Sequence, residues 1–153
     1  MATRPAILVT SFRADHEVLS TLASDILAGI VEGDPKRMPE AISVLQAAVA
    51  AHLDDEEREL LPRYALFAPE DAARILQEHA GIRKVLAELD LETDLHLVRA
   101  DAMAAFLAAL QAHAAREDAG MYLWASESAA SESGASESGA RPASHDGTSV
   151  AAR

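Results

Sequence analysis

The chain has 153 residues, which is enough for one domain with a substantial core and too few for two large domains. Its net charge of −12 argues against nucleic acid or an anionic membrane surface as the main partner. The absence of cysteine excludes disulfides and thiolate metal ligands, and no apolar run reaches the roughly 18 residues that a membrane span needs. The N-terminus does not resemble a signal peptide, so we expect a cytoplasmic protein, with a monomer favoured.

Alanine and leucine dominate most of the chain and β-branched residues are sparse, which predicts helix throughout. Helix A is predicted to begin near Ser11, a good N-cap, and to end at the turn over residues 33–35. Helix B is predicted to begin at Pro39, a residue suited to the first helical position, and to run to about Phe67. Pro62 lies inside helix B and is expected to kink it or to end it early.

The second half of the chain repeats this organisation. Helix C is predicted over about residues 69–90 and helix D over about residues 99–124. Four long helices with short connections indicate an all-α, up-down-up-down antiparallel four-helix bundle over residues 1–124. Residues 125–153 are rich in Ser, Ala, Glu and Gly and carry almost no apolar side chain larger than alanine. Such a segment cannot offset the entropy of ordering, so it is predicted to be a disordered tail.

One pattern of metal-binding side chains occurs twice. Each half has a histidine followed, at nearly the same distance, by a His-x3-Glu motif; the residues are His16, His52, Glu56, His79, His113 and Glu117. On the predicted helices all six are in phase with apolar residues, so each should point into the core. The first histidine of each half lies early on its helix and the motif lies late on the next. In an up-down bundle the six side chains should therefore meet at one end.

These six residues indicate a metal site. A single histidine on an apolar face is more often an ordinary core residue, but four histidines and two glutamates cannot satisfy one another in a core without a cation. Imidazole and carboxylate ligands suit Fe, Mn or Zn, and the absence of cysteine disfavours a structural zinc site. Six ligands suit two iron ions that share the carboxylates. The Glu-x-x-His signature of ferritin-like di-iron bundles is missing, so the site is rich in histidine.

The segments around these residues resemble the hemerythrin-like proteins of the HHE cation-binding family. The resemblance covers about residues 10–124 and rests on four segments that contain the candidate ligands: RADHEVL, HLDDEERELLPRY, EHAGIRKVL and HAAREDAGMYL. It implies a non-haem di-iron centre held by the six residues named above, with the two glutamates bridging the irons.

The chain departs from the oxygen-carrying hemerythrins on the third helix. Those proteins have a second histidine there, four residues from the first, whereas the corresponding positions here are Ile75 and Arg83. The chain is therefore closer to the bacterial and mycobacterial hemerythrin-like group. Fewer protein ligands leave coordination sites open to water, hydrogen peroxide, dioxygen or NO. Tyr64 or Tyr122 could fill one of these sites, although core packing is the favoured interpretation of both.

Several polar residues near the motifs are not expected to bind the metal. Glu117 is preferred over Asp118 as the fourth-helix carboxylate, because it repeats the geometry of Glu56. Asp118 and Glu57 are expected at the surface or behind the ligands. Asp15 and Glu78 are expected to be solvated, with the alternative that one of them orients an imidazole on a neighbouring helix. The remaining histidines are not expected to be ligands; they are His96, in the connection between helices C and D, and His145, in the tail.

Three functions follow from an open di-iron centre. The leading hypothesis is a catalase-like enzyme that disproportionates hydrogen peroxide in defence against oxidative stress. The first alternative is a protein that binds dioxygen or NO reversibly as a carrier, scavenger or sensor. The second alternative is the storage or donation of iron. The sequence names no catalytic acid or base beyond the ligands.

Overall fold

The structure is a computed structural model that describes residues 4–33, 38–94 and 99–137. All regular secondary structure in these residues is helical, in agreement with the predicted all-α class. The six helices are α1 (Arg4–Glu32), α2 (Met38–Glu59), α3 (Leu61–Phe67), α4 (Pro69–Asp94), α5 (Ala100–Ala119) and α6 (Met121–Glu137). In the described part of the chain, no helix is long and apolar enough to cross a membrane.

The helices pack as the predicted four-helix bundle. Helix α1 packs against α2 and α5, and α4 packs against the same two helices. The four long helices therefore form a ring in chain order. Short connections join consecutive helices, which makes neighbours antiparallel and gives the up-down-up-down topology. The short helix α3 packs beside α4, and α6 packs beside α1.

Helix α1 is longer at its start than predicted and ends where predicted. It begins at Arg4 rather than near Ser11, so Ser11 is an interior residue and not an N-cap. At the other end Gly33 has a φ of 74°, a left-handed conformation that glycine adopts without steric cost. Its N–H donates to the carbonyl of Ile30 at 3.3 Å and closes the last turn.

Both helices that carry a His-x3-Glu motif break shortly after it. The expected effect of Pro62 is confirmed, because α2 ends at Glu59 and α3 begins at Leu61, with the proline in its first turn. The break between α5 and α6 at Gly120 was not predicted. A Cβ atom on Gly120 would lie 3.1 Å from Tyr64 Oη and 3.2 Å from Asp71 Oδ2. Glycine therefore allows α5 and α6 to approach the Tyr64–Asp71 hydrogen bond closely.

Helix α6 extends past residue 125, the predicted start of the tail, and continues to Glu137. Ala125 and Ala129 are buried, with exposed fractions of 1% and 3%. They lie one helical turn apart, so they share a face, and their small side chains let the helix pack against the bundle. Alanine also has the highest helix propensity, which favours a helix here although apolar side chains larger than alanine are nearly absent. The rest of the predicted tail, residues 138–153, lies outside the described residues.

The apolar core consists of two clusters. The larger one fills the half of the bundle in which α1 ends and α2 begins, and it includes Leu45, Leu86 and Phe106. The smaller one lies where α3 and α6 pack and includes Phe12 and Ile75. On α1 and α4 the candidate ligand lies between residues of the two clusters. The motifs of α2 and α5 follow residues of the larger cluster and precede Leu60 and Met121, which belong to the smaller cluster and lie just beyond the ends of these helices. The ligands therefore form a polar layer inside the bundle rather than at its very end.

Candidate metal centre

The structure brings together all six residues that the sequence predicted as ligands. His16 lies on α1, His52 and Glu56 on α2, His79 on α4, and His113 and Glu117 on α5. Each is in phase with the apolar residues of its helix, so each side chain enters the core between the two apolar clusters. All six are buried, with exposed fractions between 0% and 7%.

The six side chains form two overlapping groups of four. The first contains His16, His52, Glu56 and Glu117, and the second contains Glu56, His79, His113 and Glu117; within each group one donor atom per residue lies within 4.8 Å of the others. Both glutamates belong to both groups. Each group therefore offers two imidazoles of its own and two shared carboxylates, and each could hold a metal ion.

Glu117 lies at the centre of the cluster. Its Oε2 is 3.1 Å from His16 Nε2, and its Oε1 is 3.1 Å from His113 Nε2 and 3.3 Å from His79 Nε2. Glu56 also spans the two groups, because its Oε1 is 3.6 Å from His52 Nε2 and its Oε2 is 3.4 Å from His79 Nε2. Each carboxylate thus faces imidazoles from both groups.

The cluster leaves buried lone pairs unused. In the described residues seven buried side-chain atoms lack a hydrogen-bond partner, and all but one, Glu92 Oε2, belong to this cluster. Among them are His52 Nε2, His113 Nε2, Glu56 Oε2 and Glu117 Oε2. Each of these atoms has a polar atom nearby, but none forms a hydrogen bond with it. Buried polar atoms without partners are costly and rare in folded proteins. Imidazole nitrogens and carboxylate oxygens are ligands for divalent metals, so the donor set fits a cation.

A comparison with known protein families agrees with this geometry. The model of the hemerythrin HHE cation-binding domain matches residues 7–125. The chain belongs to the hemerythrin HHE cation-binding domain family. No curated protein and no solved structure matches it. The family and the buried His and Glu groups together identify a metal-binding, hemerythrin-like protein.

The charges of the imidazoles and carboxylates in this hemerythrin site are coupled. Burial opposes the ionisation of Glu117, but its contacts with His113, His16 and His79 hold its pKa well below the usual range. Burial likewise opposes the protonation of His79, but Glu117, Glu56 and Glu57 raise its pKa to about 10. Burial dominates at His52 and lowers its pKa. Without a metal, protons on the α4 and α5 imidazoles therefore compensate the buried carboxylates.

Carboxylates behind the ligands contact the outer nitrogens of three imidazoles. Glu57 Oε1 lies 2.9 Å from His79 Nδ1, and Glu78 Oε2 lies 2.9 Å from His113 Nδ1. Asp15 Oδ2 is 3.6 Å from His52 Nδ1, which is too far for a hydrogen bond. A carboxylate only accepts, so Nδ1 of His79 and of His113 donates, and each Nε2 faces the cluster. Glu78 thus meets the alternative that Asp15 or Glu78 orients an imidazole on a neighbouring helix, and Glu57, expected at the surface or behind the ligands, lies behind His79.

Arginines hold two of these carboxylates in place, and the sequence prediction missed both. Arg83 donates to Glu57 Oε1 at 2.7 Å and to Asp54 at 2.7 Å. Arg116 Nε lies 2.5 Å from Glu78 Oε1. The spacing in the sequence could have indicated both arginines. Arg83 lies one helical turn after His79, and Arg116 lies three residues after His113, so each is on the same side of its helix as a candidate ligand.

His16 differs from the other three imidazoles. Its Nδ1 is buried without a hydrogen-bond partner. Asp118 follows Glu117 as Glu57 follows Glu56, yet Asp118 pairs with Arg13, whose Nε lies 2.6 Å from Asp118 Oδ1. Asp118 lies outside both ligand groups, so the structure brings Glu117 and not Asp118 into the cluster.

Of the two tyrosines considered as possible ligands, only Tyr122 reaches the cluster. Its hydroxyl donates to Glu56 Oε1 and lies 3.4 Å from His16 Nε2, while its ring stacks on the His16 ring. Burial, together with Glu56 and Glu117, raises the pKa of Tyr122 far above its usual value. Tyr64 instead donates to Asp71 at 2.8 Å. Tyr122 therefore enters the site as a neutral hydrogen-bond donor.

A cleft between α4 and α5 leads towards one side of the site. It has a volume of about 410 Å³, and its walls include Gly81, Ile82, Phe106, Ala109 and His113. Because the cluster itself is buried, only small molecules could reach it. The remaining predicted non-ligands, His96 and His145, lie outside the described residues.

Proposed function

We propose that this hemerythrin domain holds two iron ions with His16, His52, Glu56, His79, His113 and Glu117, and that the centre disproportionates hydrogen peroxide. The observation that carries the proposal is the pair of overlapping four-ligand groups that share both glutamates. Two imidazoles and two shared carboxylates for each metal suit iron, and both carboxylates face imidazoles of both groups.

Four protein ligands for each metal leave positions open to a small molecule. The residue one turn after His79 is Arg83, whose guanidinium pairs with Glu57 and Asp54 outside the ligand groups. Helix α4, the third long helix, therefore supplies one imidazole only, whereas the corresponding helix of oxygen-carrying hemerythrins supplies two. A more open centre favours reaction with peroxide over the stable storage of dioxygen.

When bound, an iron pair supplies a two-electron couple, so that one peroxide is reduced to two waters and a second is oxidised to dioxygen. The residues of this chain create the conditions for that chemistry. The imidazoles and glutamates form a polar layer in the core, and the burial of this layer excludes bulk water. The Tyr122 hydroxyl donates to Glu56 and so fixes the orientation of one shared carboxylate. Dioxygen and NO are also small enough for such a site, so reversible binding is the second candidate.

The test is to purify the full chain aerobically, count iron per chain, and follow dioxygen release after hydrogen peroxide is added. We expect two irons per chain and sustained dioxygen release. The variant His113→Ala should lose both, whereas Glu88→Gln, at an exposed position on α4, should keep both. Two irons without dioxygen release would replace the enzyme by reversible binding of dioxygen or NO. A chain that takes up no iron, even after anaerobic reconstitution, would contradict the di-iron proposal itself.

A further inference from the structure

The two ligand groups of the cluster differ in what lies behind their imidazoles. We call the group with His79 and His113 the α4/α5 position and the group with His16 and His52 the α1/α2 position; both share Glu56 and Glu117. We propose that the α4/α5 position binds metal tightly and that the α1/α2 position is the exchangeable one. This inference rests on the proposed two-metal centre.

The α4/α5 position has a carboxylate hydrogen bond on each imidazole. Both contacts, from Glu57 to His79 and from Glu78 to His113, measure 2.9 Å. A carboxylate that accepts from Nδ1 fixes the tautomer and the ring orientation, and it makes Nε2 a better electron donor to a metal. Loss of one such contact costs roughly 10- to 100-fold in metal affinity.

These carboxylates are held in position before any metal binds. Arg83 bridges Glu57 and Asp54, with both distances at 2.7 Å, and so ties the outer side of α2 to α4. Arg116 pairs with Glu78 at 2.5 Å and ties α5 to α4. Because these ion pairs already immobilise the carboxylates, less conformational entropy is lost when a metal binds between the imidazoles.

The α1/α2 position lacks this support. Asp15 lies 3.6 Å from His52 Nδ1, beyond hydrogen-bond distance, and about half of its side chain is exposed. His16 Nδ1 is buried with no hydrogen-bond partner. Asp118, which occupies the place of Glu57 in the second motif, is held by Arg13 instead. Neither imidazole is therefore oriented by a carboxylate, and we expect weaker binding there by at least about tenfold.

The test is a titration of the metal-free full chain with cobalt(II) against a competing chelator, followed by the visible absorption of the bound metal. We expect two binding steps whose affinities differ by at least about tenfold. The variant His79→Ala should remove the tighter step, whereas His16→Ala should remove only the weaker one. Two steps of equal affinity, or loss of the tighter step in His16→Ala, would overturn the inference and leave the two-metal centre intact.

Substitutions of the residues behind the imidazoles test whether these residues cause the difference in metal affinity. Glu57→Gln and Glu78→Gln should weaken the tighter step by roughly 10- to 100-fold and leave the weaker step unchanged. Asp118→Asn is the matched control and should change neither step. Because a fold defect would affect both steps, the selective loss of one is specific to positioning. Arg116→Gln, at a half-exposed site, should weaken the tighter step without touching a ligand contact. An unchanged tighter step in all three variants would contradict the proposed role of these residues.

Discussion

The two helix pairs of this bundle supply equivalent ligands and surround them differently. In the α4/α5 pair each imidazole is hydrogen-bonded to a carboxylate, and each carboxylate is held by an arginine. In the α1/α2 pair one imidazole faces a distant, half-exposed aspartate and the other has no partner behind it. A repeated ligand motif therefore does not imply two equivalent metal positions. The surroundings of a ligand are set by residues beside the motif, and these differ between the halves.

The residues that follow the two motif glutamates show how the difference arises. Glu57 follows Glu56 and reaches across to His79 on α4. Asp118 follows Glu117 at the same register, but its side chain is one methylene shorter and it pairs with Arg13 at the surface. Asp118 therefore accepts from Arg13 and not from His16, whose Nδ1 has no hydrogen-bond partner.

Substitution of a shared ligand should erase the difference between the halves and has the largest expected effect. Glu117 contacts imidazoles of both positions, so Glu117→Gln should weaken both cobalt(II) binding steps by more than about 100-fold, beyond the effect of losing a residue behind a ligand. Metal content after desalting should fall below one ion per chain. Asp118→Asn, the neighbouring substitution outside the ligand groups, should retain normal content. Retention of two ions in Glu117→Gln would mean that this carboxylate is not a shared ligand.

The halves should also respond differently to pH in the metal-free protein. The pKa of His79 is raised to about 10 in the folded state, so folded protein holds a proton that unfolded protein loses near pH 6.5. This contribution to stability is complete below pH 6.5 and is lost as the pH rises towards 10. The free energy of unfolding should fall by up to about 1.4 kcal/mol per pH unit in this window.

Urea unfolding of the metal-free protein across that pH window measures this dependence. His79→Gln should reduce this dependence and leave the part that comes from His113, whose pKa is also raised. His52→Gln should leave it unchanged, because the pKa of His52 is lowered and its imidazole is neutral in the same window. A dependence that is as steep in His79→Gln as in the unsubstituted protein would assign the bound proton to another group.

Removal of one tyrosine hydroxyl should have a smaller effect that depends on burial. Tyr122→Phe takes a donor from Glu56, which is fully buried, and should destabilise the metal-free protein by about 1–3 kcal/mol. Tyr64→Phe takes a donor from the partly exposed Asp71 and should cost about 0.5–1.5 kcal/mol. Thermal and urea unfolding of both variants test the order. Equal losses would show that Glu56 does not depend on Tyr122.

The arginine pairs should give the smallest difference. Arg83→Gln breaks a partly buried ion pair with Glu57 and an exposed pair with Asp54, and it should lower the stability of the metal-free protein by about 1 kcal/mol. Arg13→Gln breaks one more exposed pair with Asp118 and should cost less than about 0.5 kcal/mol. Both losses should shrink at high salt, because exposed ion pairs are screened. A larger loss for Arg13→Gln would reverse the comparison between the halves.

Most of the fold followed from local signals. The period of apolar residues predicted four long helices, and Pro62 predicted the end of α2. The break at Gly120 did not follow, because a glycine in a helical pattern is usually tolerated, and the close approach of Tyr64 and Asp71 to Gly120 is visible only in the tertiary structure. The helix beyond residue 124 was missed because Ala125 and Ala129 are stabilised by packing against the bundle, which composition does not reveal.

The sequence by itself determined which side chains enter the core, and hence the six donors of the candidate site. Helical periodicity is a local property, so a residue in phase with an apolar stripe points inward whatever surrounds the helix. Only the tertiary structure decided what stands behind each donor. Asp15, Glu57 and Glu78 lie one step off the stripe, about 100° around the helix, and therefore face whichever helix packs alongside. Whether such a carboxylate meets an imidazole or an arginine depends on side-chain lengths and on the register of two helices, and neither helix sequence specifies that alone.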